Sequence, residues 1–250
     1  MKALKKYLLL CGNTNRAKAY LTSLKDFKEV EISVLLFGSE EDIQKLANLP
    51  SPDQNTKMYL ESNHIQLPNF NSSITDIIDQ TGFENSVILE RDVNSKVILD
   101  GIASSDADYV IFAGYGGQIL SADHFTSEKK YIHCHPGWLP HERGSTTLYY
   151  SILQDRELSV TAFYMTAKID DGEMILRQSY PIPQQMVNID VYVDNCLRAD
   201  TLVRSLSNLK ENIPSFKATE NEKAEEEEYY VIHPLLKHIS LLKLNGSVDL

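Results

Sequence analysis

The chain has 250 residues, of which 42% are hydrophobic and 24% charged. These are ordinary values for a soluble globular protein, and the length is enough to bury a full core without disulfides or metals. A formal net charge of −11 argues against general nucleic-acid binding, because phosphates repel an acidic surface, and no run approaches the roughly 18 apolar residues of a membrane span. Three cysteines, Cys11, Cys134 and Cys196, are an odd number at no metal-like spacing. They point to reduced thiols in a cytoplasmic compartment.

In chain order, the first apolar run is Tyr7–Cys11. It is too short for a signal-peptide core and no small-residue cleavage site follows it, so 6–11 reads as a strand ending at Gly12. A helix is expected over 16–24, a strand over 30–38, and a helix over 40–49 stopped by Pro50 and Pro52. Residues 51–73 read as polar and broken, with a short strand near 58–60. Val97, Ile98 and Ile102 share one helical face over 93–102. The near-continuous apolar run 108–114, DYVIFAG, has the look of a central parallel strand covered on both sides. Further strands are expected over 131–135, 159–166 and 173–179, with helices over 146–154 and 190–209. The acidic run 220–228 reads as a solvated loop or helix face.

This alternation predicts an α/β fold with a doubly wound, mostly parallel sheet. A main domain spans 1–213 and a small C-terminal appendage 214–250. Ligands of such sheets bind beyond the carboxyl ends of the strands. Three elements sit there: Gly114–Gly117, His133–His135 and the turn Asp170–Gly172. Neither a GxGxxG fingerprint nor a GxxxxGK[ST] loop is present.

The stretch 131–150 reads YIHCHPGWLPHERGSTTLYY. Positions two apart on a strand face the same way, so His133 and His135 share a side and Cys134 points away. An aspartate of the turn 169–173, IDDGE, can orient an imidazole for acid–base work. His133, His135 and Asp170 could instead ligate zinc or iron. Arg143 and the hydroxyls Ser145, Thr146 and Thr147 suit an anionic group. Tyr149 and Tyr150 read as packing groups, and His124, His233 and His238 as structural.

Taken together, FAGYGGQIL (112–120), HCHPGWLPHERG (133–144) and KIDDGEMIL (168–176) resemble the formyltransferase family that uses N10-formyltetrahydrofolate. That family includes glycinamide ribonucleotide, methionyl-tRNA and sugar N-formyltransferases. The resemblance covers residues 85–185 well and the first 80 by fold pattern. Its histidine falls on His135, followed by Pro136. Its Leu-Pro falls on Leu139-Pro140, its Arg-Gly on Arg143-Gly144 and its aspartate on Asp170, with Gly172 two residues on. One position departs: His133 stands where the family has asparagine.

The resemblance implies acyl transfer from N10-formyltetrahydrofolate, used as a co-substrate, with no metal. It implies His135 as base or carbonyl polariser, Asp170 orienting it, and His133 as oxyanion donor in place of the asparagine amide. It places the folate against Gly114, Gly116, Gly117, Gln118, Ile119, Leu120 and Asp170. Arg143, Gly144, Ser145 and Thr146 are expected on the acceptor side.

The variant HPGWLPxxRGSTTxYYS, with YYVIHPLLKHI near the end, looks most like enzymes acting on nucleotide-linked 4-amino-4,6-dideoxy sugars. Among these a UDP-linked altrosamine-type sugar of the pseudaminic acid pathway is favoured. Such relatives are often homodimers. Other acceptors remain open, glycinamide ribonucleotide among them. So do a metal-dependent hydrolase and a non-catalytic folate or nucleotide-sugar binder in which His133 marks a lost activity. The short, acidic C-terminal region counts against a tRNA substrate.

Overall fold

Tyr7–Cys11 is buried along its whole length, which a strand achieves only when both faces of its sheet are covered. In the computed structural model, which describes residues 4–220, 222 and 227–247, that run lies at the centre of a seven-stranded sheet. Five strands are parallel: β1 (Lys6–Cys11), β2 (Glu31–Phe37), β3 (Glu84–Ile88), β4 (Tyr109–Ala113) and β5 (Lys130–Pro136). Two more, β7 (Leu158–Tyr164) and β8 (Met174–Tyr180), continue the sheet antiparallel, in the order β3-β2-β1-β4-β5-β7-β8. The short β6 (Glu142–Gly144) stands apart and pairs in parallel with β9 (Glu227–Tyr229).

The alternation of β1 divides the core. Tyr7, Leu9 and Cys11 join the larger layer with α1 (Asn15–Leu24) and α7 (Asp194–Lys210). Leu8 and Leu10 join the smaller one, under α5 (Lys96–Ser104). The chain winds outward from β1 to β2 and β3, then crosses back to β4 and β5 on the other side. Loops leaving β1 and β4 therefore diverge and open a crevice at their carboxyl ends, where sheets of this kind bind ligands.

The structure differs from the sequence reading in several places. Helix α2 (Glu40–Gln44) ends five residues before the expected 49. The Asn13 amide donates to the carbonyls of Asp42 and Lys45, each at 2.9 Å, and so satisfies the helix end from outside. The short strand expected near 58–60 is a helix, α3 (Gln54–Ser62), whose Asp53 cap accepts from the Thr56 N–H at 2.8 Å. Its buried Thr56, Tyr59 and Leu60 have helical, not strand, spacing.

Helix α4 (Ile74–Thr81) and strand β3 are among the elements not anticipated. The helix buries Ile74, Ile77, Ile78 and Thr81 on one face. The largely exposed edge strand β3 follows it. The long helix expected over 190–209 starts with a wide π turn, Ile189–Val193, before α7 proper. There the Asn195 amide donates to the carbonyls of Asp190 at 3.1 Å and Val191 at 2.9 Å.

Beyond residue 213, Phe216 bridges to Met174 at the free edge of β8, β9 joins β6, and α8 (Pro234–Leu244) follows. Of the acidic run 220–228, residues 221 and 223–226 lie outside those described. Glu222 is not merely solvated: it accepts from Arg177 Nη1 at 2.7 Å. Among the described residues no helix is long and apolar enough to cross a membrane.

Ile78, buried in the larger layer on the helix that packs against α1, tests the helix the sequence reading passed over. Ile78→Ala should cost about 2–5 kcal/mol, read by urea unfolding.

Candidate active site

A cavity of about 430 Å³ opens at the crevice, beyond the ends of β1, β4 and β5. Its wall on the β4 side is the loop Tyr115–Leu120. The loop closes on itself through the Gln118 side-chain oxygen, which accepts from the Tyr115 N–H at 2.9 Å. Gly116, Gly117, Gln118, Ile119 and Leu120 line the cavity; Gly114 sits behind them, its carbonyl accepting from Arg16 Nη2 at 2.7 Å. Phe112 and Phe163 flank His133, with ring centres 6.2 and 6.0 Å away.

The two histidines do line one side of β5, as period-two alternation requires. Their surroundings differ. His135 is buried, and both its ring nitrogens face acceptors: Nε2 lies 2.7 Å from the Glu142 carbonyl and Nδ1 lies 3.3 Å from Asp170 Oδ1. His133 Nδ1 lies 3.4 Å from the Phe112 carbonyl. Cys134, on the opposite side, is fully buried, and burial pushes its thiol up to about 12.

Asp170 joins two loops. Its Oδ2 accepts from the Gly144 N–H at 3.1 Å while Oδ1 faces His135. The residue has φ of 49°, a left-handed conformation that aspartate tolerates better than most. Two residues on, Gly172 has φ of 155°, and a Cβ there would run into the Tyr164 carbonyl. Gly144 (φ 98°) is similarly pressed against the backbone of Tyr229. Thr146 has φ of 56°, a costly conformation for a β-branched residue and of a kind that clusters at functional sites.

Gly144, Ser145 and Thr146 line the cavity, whereas Arg143 does not. Arg143 turns into a separate hollow with Leu139, Pro140 and Gly172, its Nη2 3.8 Å from Asp171 Oδ1. Thr147 and Tyr149 line a small adjoining pocket with Asp190, and the Tyr149 hydroxyl donates to Asp190 at 2.8 Å. Two arginines that the sequence reading did not single out complete the cavity. Arg16 comes from the start of α1. Arg198 comes from α7, with Nε 3.0 Å from Asp194 and Nη1 donating to the Cys134 carbonyl at 3.1 Å. The signal for Arg16 was its place just after the first strand, in GNTNR. Arg198 could be found only as the i+4 partner of Asp194.

Burial pulls His133 well below the ordinary imidazole value, and the positive charges of Arg16, Arg198 and His135 pull the same way; Asp170 opposes them weakly. Burial would raise Asp170, but the hydrogen bond and charge of His135 and the Gly144 N–H outweigh it and hold the carboxyl at about 2. Burial also lowers Arg16, helped by Arg198. Arg198 is desolvated too, yet Asp194 more than offsets this and raises it. Among the described residues no group of three or more His, Cys, Asp or Glu side chains is placed to hold a metal ion. His133, His135 and Asp170 do not converge as ligands, because His135 already has acceptors at both nitrogens. Elsewhere, His124 is held between Tyr131 and the Val93 carbonyl, each at 3.1 Å, and His233 caps α8.

Residues 5–194 match the family model described as Formyl transferase. The chain belongs to the formyl transferase family. The match takes in the elements that bound the cavity except α7, of which it reaches only the first residue, so Arg198 lies beyond it. Among curated formyltransferases, the methionyl-tRNA formyltransferase of Rickettsia bellii is 27% identical over 124 residues, 48% of this chain and 40% of that one. The chain thus spans less than half the length of the curated formyltransferases it matches. A sugar N-formyltransferase from a Shewanella species superposes with a TM-score of 0.55 at 18% identity, covering 96% of this chain and 87% of that one. A Helicobacter canadensis N-formyltransferase, solved with folinic acid and dTDP-3-aminofucose, gives a TM-score of 0.52 at 17% identity, covering 89% and 70%. At these identities the likeness establishes the formyltransferase fold.

Gly172→Ala should lose roughly 1–3 kcal/mol from the backbone conformation alone, read by urea unfolding. His133 makes a second, pH-dependent prediction. Its folded value lies below its unfolded one, so below about pH 6.5 the unfolded chain binds the proton more readily and stability falls with pH. His133→Asn removes this penalty. Relative to wild type, its melting temperature should rise between pH 7.5 and pH 5.

Proposed function

We propose that the protein transfers a formyl group from N10-formyltetrahydrofolate to the amine of a nucleotide-linked 4-amino-4,6-dideoxy sugar, with a UDP-linked altrosamine-type sugar favoured. The observation that carries this reading is the buried His135–Asp170 pair on the floor of a cavity at the sheet's switch crevice. It lies within the stretch matched to the formyl transferase family. Formyl transfer needs an amine nucleophile, a proton acceptor and a dry, charged wall around the acyl carbon, and the cavity has the residues for each.

The two substrates fit different parts of the cavity. The wall Gly116–Leu120, with Phe112 and Phe125, offers backbone and apolar surface suited to the flat pterin ring of the donor. Arg16 and Arg198, with the strained loop Gly144–Thr146, offer positive charge and backbone N–H groups suited to an anionic acceptor such as a nucleotide diphosphate. Arg143 is not needed for this arrangement. The dTDP-3-aminofucose bound by the Helicobacter protein supports a nucleotide-linked amino sugar as acceptor. The net charge of −11 favours that class over tRNA.

The purified protein, incubated with N10-formyltetrahydrofolate and a panel of UDP- and dTDP-linked 4-amino-4,6-dideoxy sugars, should yield one sugar carrying an added formyl group by mass spectrometry. Formylation of glycinamide ribonucleotide and of none of the sugars would overturn the acceptor class. His135→Ala should lower turnover at least about 100-fold with little change in folate affinity by calorimetry. Full activity in that variant would remove this cavity as the site.

A further inference from the structure

The two histidines are not equally available for chemistry. His135 Nε2 lies 2.7 Å from the Glu142 carbonyl. A carbonyl only accepts, so that nitrogen carries the proton and has no lone pair to offer. Nδ1 faces the Asp170 carboxylate instead of the open cavity. The Glu142 backbone is itself fixed, because its buried carboxylate accepts from the Trp138 N–H at 2.7 Å and from Ser151 and Ser159, each at 3.0 Å. His133 is the reverse case. Its Nδ1 also meets a carbonyl, that of Phe112, so Nδ1 carries the proton. Nε2 then holds a bare lone pair, with no hydrogen-bond partner among the described residues, on a side chain that lines the cavity.

We propose that His133, and not His135, takes the proton from the attacking amine, while His135 is a positioned partner locked between Glu142 and Asp170. This rests on the formyl-transfer reading above. The amine nitrogen forms a bond to the formyl carbon and the carbonyl π pair moves onto oxygen. The proton left on that nitrogen passes to His133 Nε2. When the C=O re-forms, the bond from carbon to the folate N10 breaks, and the proton passes from Nε2 to N10. The products are the N-formyl amine and tetrahydrofolate, and His133 ends neutral.

The surroundings suit this cycle. Arg16 faces His133 from α1, Arg198 from α7, His135 from its own strand and Asp170 from the turn after β7; the rings of Phe112 and Phe163 beside it carry no charge. The net positive field keeps the resting imidazole neutral, ready to accept. Once protonated it is a stronger acid than an ordinary imidazolium, suited to returning the proton to the leaving nitrogen. An asparagine here could donate a hydrogen bond but could not carry a proton.

The test uses the full chain. Ring-nitrogen NMR with 15N-histidine at pH 7 should show His133 with a bare Nε2 and His135 with a proton on Nε2. His133→Asn should lower kcat by about 100-fold or more with little change in KM for the sugar. Added imidazole should restore part of the activity of His133→Ala, which a purely structural role would not allow. Near-wild-type kcat in His133→Asn, or a proton on Nε2 of His133 in the resting protein, would overturn the assignment. If the wild type formylates no acceptor, the formyl-transfer reading fails, and the NMR result still decides which imidazole holds the free lone pair.

Discussion

The site depends on one contact, the hydrogen bond from His135 to the Glu142 carbonyl. It joins the end of β5 to β6 within seven residues, across a loop that contains Gly137 and Pro140. The buried Glu142 side chain ties the same point to β7 through Ser159 and to α6 (Thr147–Leu153) through Ser151. A carboxylate this deep is tolerable only because hydroxyl and backbone N–H donors meet it. Loosening any of these would let the ring turn and change which nitrogen the cavity sees.

Electrostatics then gives the cavity its character. Against a net charge of −11 for the whole chain, the floor of the cavity gathers Arg16, Arg198 and His135 around a single ionised carboxylate, Asp170. The cavity is thus positively charged within a chain whose net charge is negative. The arginines are positioned by backbone carbonyls, Gly114 for Arg16 and Cys134 for Arg198, so the field is fixed before any ligand arrives. Preorganised charge of this kind need not be rearranged during the reaction.

Much of this could be read from the sequence, and for identifiable reasons. The central strands were legible because burial on both faces writes an unbroken apolar run, as in Tyr7–Cys11 and Tyr109–Ala113. The site was legible where period-two spacing and turn residues coincide, at His133, His135 and Asp170–Gly172. Helix α3 was misread because its buried face is built from Thr56 and Tyr59, which have no strong helical preference. Strand β3 left no pattern, since an exposed edge needs none. Arg143, expected on the acceptor side, lies in a neighbouring hollow with its Nη2 3.8 Å from Asp171, a placement that spacing along the loop does not reveal. Arg198 left only a local signal, its i+4 spacing from Asp194: it lies far along the chain from the histidines, and the packing of α7 on the sheet brings it near them.

The pairing of β6 with β9 gives the site an unusual dependence on time. Gly144 presses against the Tyr229 backbone, and the Ser145 N–H donates to the Tyr229 carbonyl at 2.9 Å. Thr146 in turn accepts from the Ile232 N–H at 2.9 Å. The cavity-lining loop Gly144–Thr146 is therefore completed by a strand made long after the histidines during synthesis. Until residues 229–232 have been made, that loop has the Asp170–Gly144 hydrogen bond but not the contacts from Tyr229 and Ile232. The wall of the cavity formed by Gly144–Thr146 is complete only once those later residues are in place.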